Sequence, residues 1–357
     1  MNIAIIGAGG SVGMEIAQLI ISERIMQYDE RLILTANPEG ASAKSVYGFA
    51  SDLQDAYSEI CPRIEVACDP EAIEADLIVM TAGSTLHFTE EGQSVNRQAL
   101  AEINAPVFHL YARAIAKTGH SHEIVLCISN PNELCVAVFA KYLGRKRVIG
   151  MGAFLDSLRF RQEIAADLEI RRQLIHGFMA GEHGAHIVPL WSGVHIYGYS
   201  EQALTEAIQK IRQGYNIARF RQTVREVGVH LKTLVEDGRV REAYQMLRDY
   251  PPDVRVVLKP YVTHFSGSKT VMGTARATME FIRTITQGSD ALISGQITLD
   301  GEFYDIHGTI GVPFVVGNQG VDRVFEIPIT DEEKTALIQD AEKVQKKIDP
   351  YLQEDDT

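Results

Sequence analysis

The chain has 357 residues, enough for one large domain or two modest ones with a sizeable core. A formal net charge of −13 argues against nucleic acid and anionic membrane as partners, yet local arginines can still hold an anionic small molecule. No apolar run is long enough to span a bilayer, and a first strand starting at residue 2 leaves no room for a signal peptide, so the expected location is cytoplasmic.

Through the first 150 residues, short apolar runs alternate with helix-like segments. Strand candidates fall at 2–7, 31–35, 62–67, 76–81, 123–128 and 147–150, with helix candidates near 11–24, 40–56, 97–118 and 133–143. Such alternation predicts βαβ units and a parallel α/β sheet with helices on both faces. Leu77-Ile78-Val79-Met80 is continuously apolar, as a strand buried on both faces requires. After residue 152 the pattern changes. A helix is expected at 153–170, strands at 174–180 and 187–197, and two long helical stretches at 202–249 and 270–287. Strands near 291–299 and 312–317 then precede a charged helix over 331–349. The expected organisation is an N-terminal doubly wound domain over 1–152 and a mixed α/β domain over 153–352. The four cysteines form no Cys-x-x-Cys pair, and Cys127, inside an apolar run, reads as a small buried hydrophobe.

The first strand runs directly into Gly7-Ala8-Gly9-Gly10-Ser11-Val12-Gly13. Glycine is needed where a strand turns sharply into a helix and the backbone approaches a pyrophosphate, whose charge the helix N-terminus then faces. A strict G-x-G-x-x-G pattern would place its third glycine at Val12; Gly7, Gly10 and Gly13 give a G-x-x-G-x-x-G spacing instead. In this strand-turn-helix context the segment predicts a Rossmann dinucleotide site, with Ser11 and Val12 in the first helical turn. The second strand ends in Thr35-Ala36-Asn37-Pro38-Glu39, with neither an acid at its tip nor an arginine for a 2′-phosphate. Asn37 or Glu39 is left to meet the ribose. The missing base favours NAD and leaves NADP open.

Arg97, Asn130, the pair Asp156 and Arg159, and Gly181-Glu182-His183-Gly184 follow in order. Reduction of a 2-keto acid needs a carboxylate clamp, a carbonyl polariser, a proton donor and a hydride donor. Arginine suits the clamp through its planar fork, and histidine suits proton transfer because it titrates near neutrality. Each residue also has a plainer reading. Arg97 fits an exposed helix start, Asn130 a turn before Pro131, and Asp156 with Arg159 a solvated i,i+3 pair. His183 with His186 resembles a metal pair but lacks a clear third ligand, so no metal is expected. His87, His120 and His122 read as surface residues.

The chain resembles the lactate/malate dehydrogenase family over nearly its whole length. The likeness rests on Gly7 to Gly13, Thr81-Ala82-Gly83, Arg97 to Leu100 with Asn104-Ala105, Ser129-Asn130-Pro131 and Val148-Ile149-Gly150. It continues through Leu155-Asp156-Ser157-Leu158-Arg159-Phe160-Arg161, Gly181 to Gly184 and Pro189-Leu190-Trp191-Ser192. The resemblance implies an NAD(P)-dependent 2-hydroxy-acid dehydrogenase with His183 as acid/base and Asp156 as its carboxylate partner. It implies that Arg159 grips the substrate carboxylate and that Arg97, on a mobile loop, polarises the carbonyl. Asn130 then bonds the substrate oxygen or the ribose. Ala82, Gly83 and Asn104 join the cofactor site, Ser268 or Thr270 lines the pocket, and a homodimer or homotetramer is expected.

Two stretches depart from that family. The loop from Ser84 to Asn96 is several residues longer than usual. In that family a residue six before the polarising arginine helps select the substrate side chain, arginine in malate enzymes and glutamine in lactate enzymes. Here the count gives Glu91, with Gln93 or His87 as alternatives in the longer loop. A carboxylate at that place repels oxaloacetate, so an efficient malate dehydrogenase is not expected. Residues 201–262 are also long for the family and suggest an added helical hairpin. The rival readings are an NAD-dependent glycosidase, which would need a metal site, and a non-catalytic dinucleotide sensor, which would tolerate loss of His183 or Arg97.

Overall fold

The architecture was established as a computed structural model, which describes residues 1–40, 42–84, 97–184 and 186–353, with Arg97 described by its backbone alone. Its first half comprises β1 (Ile3–Ile6), α1 (Ser11–Ser22), β2 (Arg31–Thr35), α2 (Ser42–Ala56), β3 (Arg63–Val66), β4 (Leu77–Met80), α3 (Arg97–Thr118), β5 (Ile124–Cys127), α4 (Asn132–Leu143) and β6 (Val148–Gly150). These strands lie in the order β3-β2-β1-β4-β5-β6, all parallel. Every residue of β1, β4 and β5 is buried, as continuous apolar runs between two helical layers must be. In α1, Ile16, Ala17, Ile20 and Ile21 recur at helical spacing and turn one apolar stripe onto the sheet. The strand order reverses between β1 and β4. Helices leave that point on opposite faces, opening a crevice beyond the strand ends.

The second half comprises α5 (Gly152–Leu168), β7 (Ile175–Gly181), β8 (Ile187–Ile196), α6 (Glu201–Arg212), α7 (Ile217–Glu236), α8 (Val240–Met246), α9 (Pro252–Phe265), α10 (Val271–Gln287), β9 (Ala291–Asp300), β10 (His307–Gly317), β11 (Gly320–Val324) and α11 (Asp331–Ile348). Antiparallel pairing of Gly150 in β6 with Gln296 in β9 carries the sheet across residue 152. The described strands form one sheet that continues β6-β9-β10-β7-β8, with β11 on β10. Among the described residues, no helix is long and apolar enough to cross a membrane. The four cysteines are free thiols, and Cys127 is buried.

The stretch 202–249 is not one helix. Gln213 and Gly214 take left-handed φ of 53° and 70° and end α6, while Gly238, at 76°, follows the end of α7. The Asn216 side chain accepts from Arg219 N at 2.8 Å and starts α7 afresh. Helix α9 falls largely within the stretch 201–262 expected to add a helical hairpin but beyond the helix expected to end at 249; β11 was not expected, and β10 begins well before the expected strand. Pro252 occupies the first helical position, where no N–H is needed.

Helix α9 is ion-paired to α5, the helix that carries Asp156 and Arg159. Arg255, 4% exposed, donates to Glu163 and Asp167 at 2.7 Å each and to the Tyr250 carbonyl. Lys259 also binds Glu163. Removing the buried Arg255 costs about 3–5 kcal/mol, because it is the partner of both Glu163 and Asp167.

Candidate active site

The strand-to-helix turn is built by excluding side chains. Gly7 sits at φ +87°, and its N–H and that of Ala8 donate to the Thr35 carbonyl at 3.1 and 2.8 Å. A Cβ on Gly7 would stand 2.7 Å from Ala82 N, and one on Gly13 2.5 Å from Gly7 O. A Cβ on Gly9 would stand 2.6 Å from Ser42 Cβ, whereas the nearest neighbour of one on Gly10 would be 3.3 Å away. The crowded glycines are therefore 7, 9 and 13, not 7, 10 and 13. Gly10 begins α1 with no side-chain cap, Ser11 is exposed, Val12 is half-buried, and the first turn holds no acid. Bare N–H groups, a positive helix end and room for close approach fit a dinucleotide pyrophosphate.

Beyond β2, exposed Asn37 uses its carboxamide oxygen to accept from Glu39 N at 3.1 Å, closing a local turn. Beyond β4, Ala82 is half-buried and its carbonyl accepts from Ser129 Oγ at 2.6 Å. Gly83, at φ +134°, lies against Asn104. Asn104, expected at the cofactor, is fully buried. Its oxygen accepts from Ser84 N at 2.7 Å, and its amide donates to Ser84 O at 3.0 Å and to Asn130 O at 2.7 Å. It ties together two strand ends at the crevice and leaves the Asn130 side chain exposed.

The candidate reaction centre joins α5 to the segment after β7. His183 Nδ1 lies 2.8 Å from Asp156 Oδ2, the Gly184 N–H donates to the same oxygen at 3.3 Å, and Arg159 Nη1 donates to Asp156 Oδ1 at 3.3 Å. The Asp156 side chain is 4% exposed, so this is not a solvated surface pair. Burial pushes the Asp156 carboxyl up. The charge and hydrogen bond of His183, then Arg159 and the Gly184 N–H, outweigh it and hold the carboxyl below its ordinary value. Burial also pulls the Arg159 pKa down against the attraction of Asp156, and an arginine remains charged throughout. His183 and Arg159 keep 18% and 23% of their side chains open, enough to meet a substrate. Among the described residues, no three His, Cys, Asp or Glu side chains converge as a metal ligand set.

Three contributors had no signal of their own in the sequence. Gly152 opens α5, and a Cβ there would stand 2.5 Å from His183 Cγ, so the imidazole occupies the space this glycine vacates. Glu133, buried in the first turn of α4, accepts from His183 N at 2.7 Å. His264, half-buried near the end of α9, has its pKa lowered by burial and by the charges of Arg159 and Lys269. Of the pocket candidates, Ser268 is exposed and Thr270 half-buried just before α10. Arg97 is the first residue of α3, but its side chain lies outside the described residues, as do Glu91, Gln93, His87 and the loop 85–96 as a whole.

A family model described as lactate/malate dehydrogenase, NAD binding domain, matches residues 1–150. Another, described as lactate/malate dehydrogenase, alpha/beta C-terminal domain, matches residues 262–355. Malate dehydrogenase 1 of Aquifex aeolicus (strain VF5) is 25% identical, over 98% of this chain and 95% of that protein. L-lactate dehydrogenase 2 of Enterococcus faecalis (strain ATCC 700802 / V583) is 28% identical, over 93% and 92%. The solved malate dehydrogenase of Cryptosporidium parvum superposes with a TM-score of 0.74 at 21% identity, covering 98% of this chain and 99% of that one. A minor L-lactate dehydrogenase from Enterococcus mundtii gives 0.75 at 24% identity, covering 98% of each. The sequence relatives divide between malate and lactate enzymes, and at these identities the solved structures speak to the fold.

Proposed function

The chain belongs to the lactate/malate dehydrogenase family, as an NAD-dependent oxidoreductase that interconverts a 2-hydroxy acid and a 2-keto acid, and we propose that His183 is its proton-transfer residue. What carries this reading is the 2.8 Å contact of His183 Nδ1 with a buried carboxylate that also binds Arg159. Asp156 fixes the ring so that Nε2 faces the substrate oxygen, and it stabilises the imidazolium. In reduction, Nε2–H gives its proton to the carbonyl oxygen; in oxidation the neutral ring takes the hydroxyl proton back. Arg159 pairs with the substrate carboxylate, Asn130 orients the substrate or the ribose, and Arg97 polarises the carbonyl. The glycine turn and the ends of β4 and β5 would hold NAD, which would supply or take up the hydride at substrate C2.

The test is oxidation of NADH and NADPH by the purified protein against pyruvate, oxaloacetate, and branched, aromatic, hydroxylated and sulfonated keto acids. Replacing His183 by Ala is expected to lower kcat by about 10²- to 10⁴-fold, the usual worth of a positioned acid/base. Turnover retained in His183→Ala overturns the assignment. On the substrate, the Glu91 reading stands against oxaloacetate, and a kcat/KM for oxaloacetate above those of the other keto acids overturns it. We also assign residues 1–152 to the dinucleotide and 153–352 to the substrate, with a cytoplasmic location and a homodimer or homotetramer that light scattering would count.

A further inference from the structure

Glu133 is 3% exposed in the first turn of α4, where the helix N-terminus favours a negative charge. Its Oε1 accepts the His183 N–H at 2.7 Å and an Nε2–H of Gln296 at 3.2 Å. Gln296 is itself fully buried in β9, and its other amide atom, Oε1, accepts the Ala153 N–H at 3.0 Å. Ala153 lies in the first turn of α5, whose opening N–H groups have no partner within the helix. Both sides of the His183–Asp156 contact are thus tied to one buried carboxylate–amide unit. One tie holds the backbone of the imidazole, and the other holds the start of the helix bearing Asp156 and Arg159. The unit is braced in turn, because the Gln296 backbone pairs with Gly150 of β6 and Gly311 of β10. Asn132, beside Glu133, accepts the next N–H of the same helix start, that of Gly152, at 3.2 Å.

We propose that Glu133, together with Gln296, is a positioning residue for proton transfer: it sets the His183 imidazole against Asp156 without touching substrate. The inference rests on His183 being the proton-transfer residue. A carboxylate that only stabilised the fold would lower thermal stability and leave the turnover of the folded protein alone. A positioning group lowers kcat and leaves both KM values in place, because cofactor and substrate still bind while the ring is misaimed.

The experiment measures kcat, both KM values and thermal stability for Glu133→Ala, Glu133→Gln and Gln296→Ala, with His183→Ala in the same assay. Glu133→Ala and Gln296→Ala are expected to lose on the order of 10- to 100-fold in kcat, the scale of a small misplacement at a reacting centre, with KM unchanged. Glu133→Gln retains an acceptor oxygen for the His183 N–H and is expected to return most of that rate. A kcat unchanged in folded Glu133→Ala or in Gln296→Ala overturns the proposal. So does a Glu133→Gln variant as slow as the alanine variant. If Glu133→Ala does not fold, Gln296→Ala and Glu133→Gln decide the matter. Activity surviving in His183→Ala marks a failure of the reaction-centre reading; an inactive His183→Ala beside an unaffected Glu133→Ala marks a failure of the positioning inference alone.

Discussion

At the phosphate turn, three glycines stand where a β-carbon would collide with a neighbour, and the first turn of α1 carries no acid. Around His183 the construction is reversed: the carboxylates of Glu133, Asp156 and Glu182 are buried, each bound by a partner from another element. The turn works through backbone N–H groups and empty space, so its requirements are local. The reaction centre works through charges that must be paired as they are buried, so it draws on α4, α5, β9 and α11 at once. Damage at the turn should therefore appear in cofactor affinity, and damage at the centre in the rate of the bound complex.

The largest expected separation comes from Gly152→Ala. The new methyl group meets His183 Cγ at 2.5 Å and Nδ1 at 2.8 Å, so the shift it forces falls on the ring atom that contacts Asp156. A fall in kcat of about 100-fold is expected, with NADH affinity by fluorescence titration unchanged. Equal losses of rate and of NADH affinity would break the contrast between the two regions.

Gly13→Ala is the converse test. Its Cβ would stand 2.5 Å from Gly7 O and 2.9 Å from Ala8 Cα, so α1 must move away from the turn that it closes. Overpacking of this kind costs about 1–3 kcal/mol of stability. NADH affinity should fall on the order of 10-fold, the equivalent of about 1.4 kcal/mol, while kcat at saturating NADH stays near the parent value. A kcat loss at saturation would show that the turn also aims the reacting end of the cofactor.

The same contrast explains what could be read from the residues alone. The parallel sheet and the turn were legible because apolar runs and glycines answer to local constraints. Which glycines are crowded was not, because Gly9 is closed in by Ser42 of α2. Asp156, Arg159 and His183 were legible as a helical i,i+3 pair and a glycine-flanked histidine. Glu133 was not, since its partners His183 and Gln296 lie 50 and 163 residues along the chain. The bounds of helix α9 were not legible because its buried face carries ionisable groups. Asp253 accepts from Trp191 Nε1 at 2.9 Å and Arg255 binds Glu163, which interrupts the apolar periodicity that marks a core helix.

The buried charges behind the centre give the smallest effect and the one most sensitive to pH. Glu182, next to His183, binds Lys347 of α11 at 2.8 and 3.0 Å. Beyond it, Asp340 of α11, with a side chain only 2% exposed, pairs with Arg221 of α7. Burial pushes the Asp340 carboxyl up to about 6; the charges of Arg221 and Lys343 oppose the shift, the Glu182 charge adds to it, and Lys347 opposes it. The folded value lies above the ordinary 3.8, so between those values the folded protein holds a proton that the unfolded chain has released. Stability from this group is therefore fully present below 3.8 and is lost as pH rises through about 6. Asp340→Asn keeps a neutral side chain at every pH and lacks this dependence. Its stability relative to the parent should become less favourable by about 1 kcal/mol on going from about pH 7.5 to about pH 5, read from denaturant unfolding of both proteins. A difference that stays constant across that range would mean that Arg221 keeps Asp340 ionised throughout. The charge layer behind His183 would then be as fully compensated as the Asp156 pair in front of it.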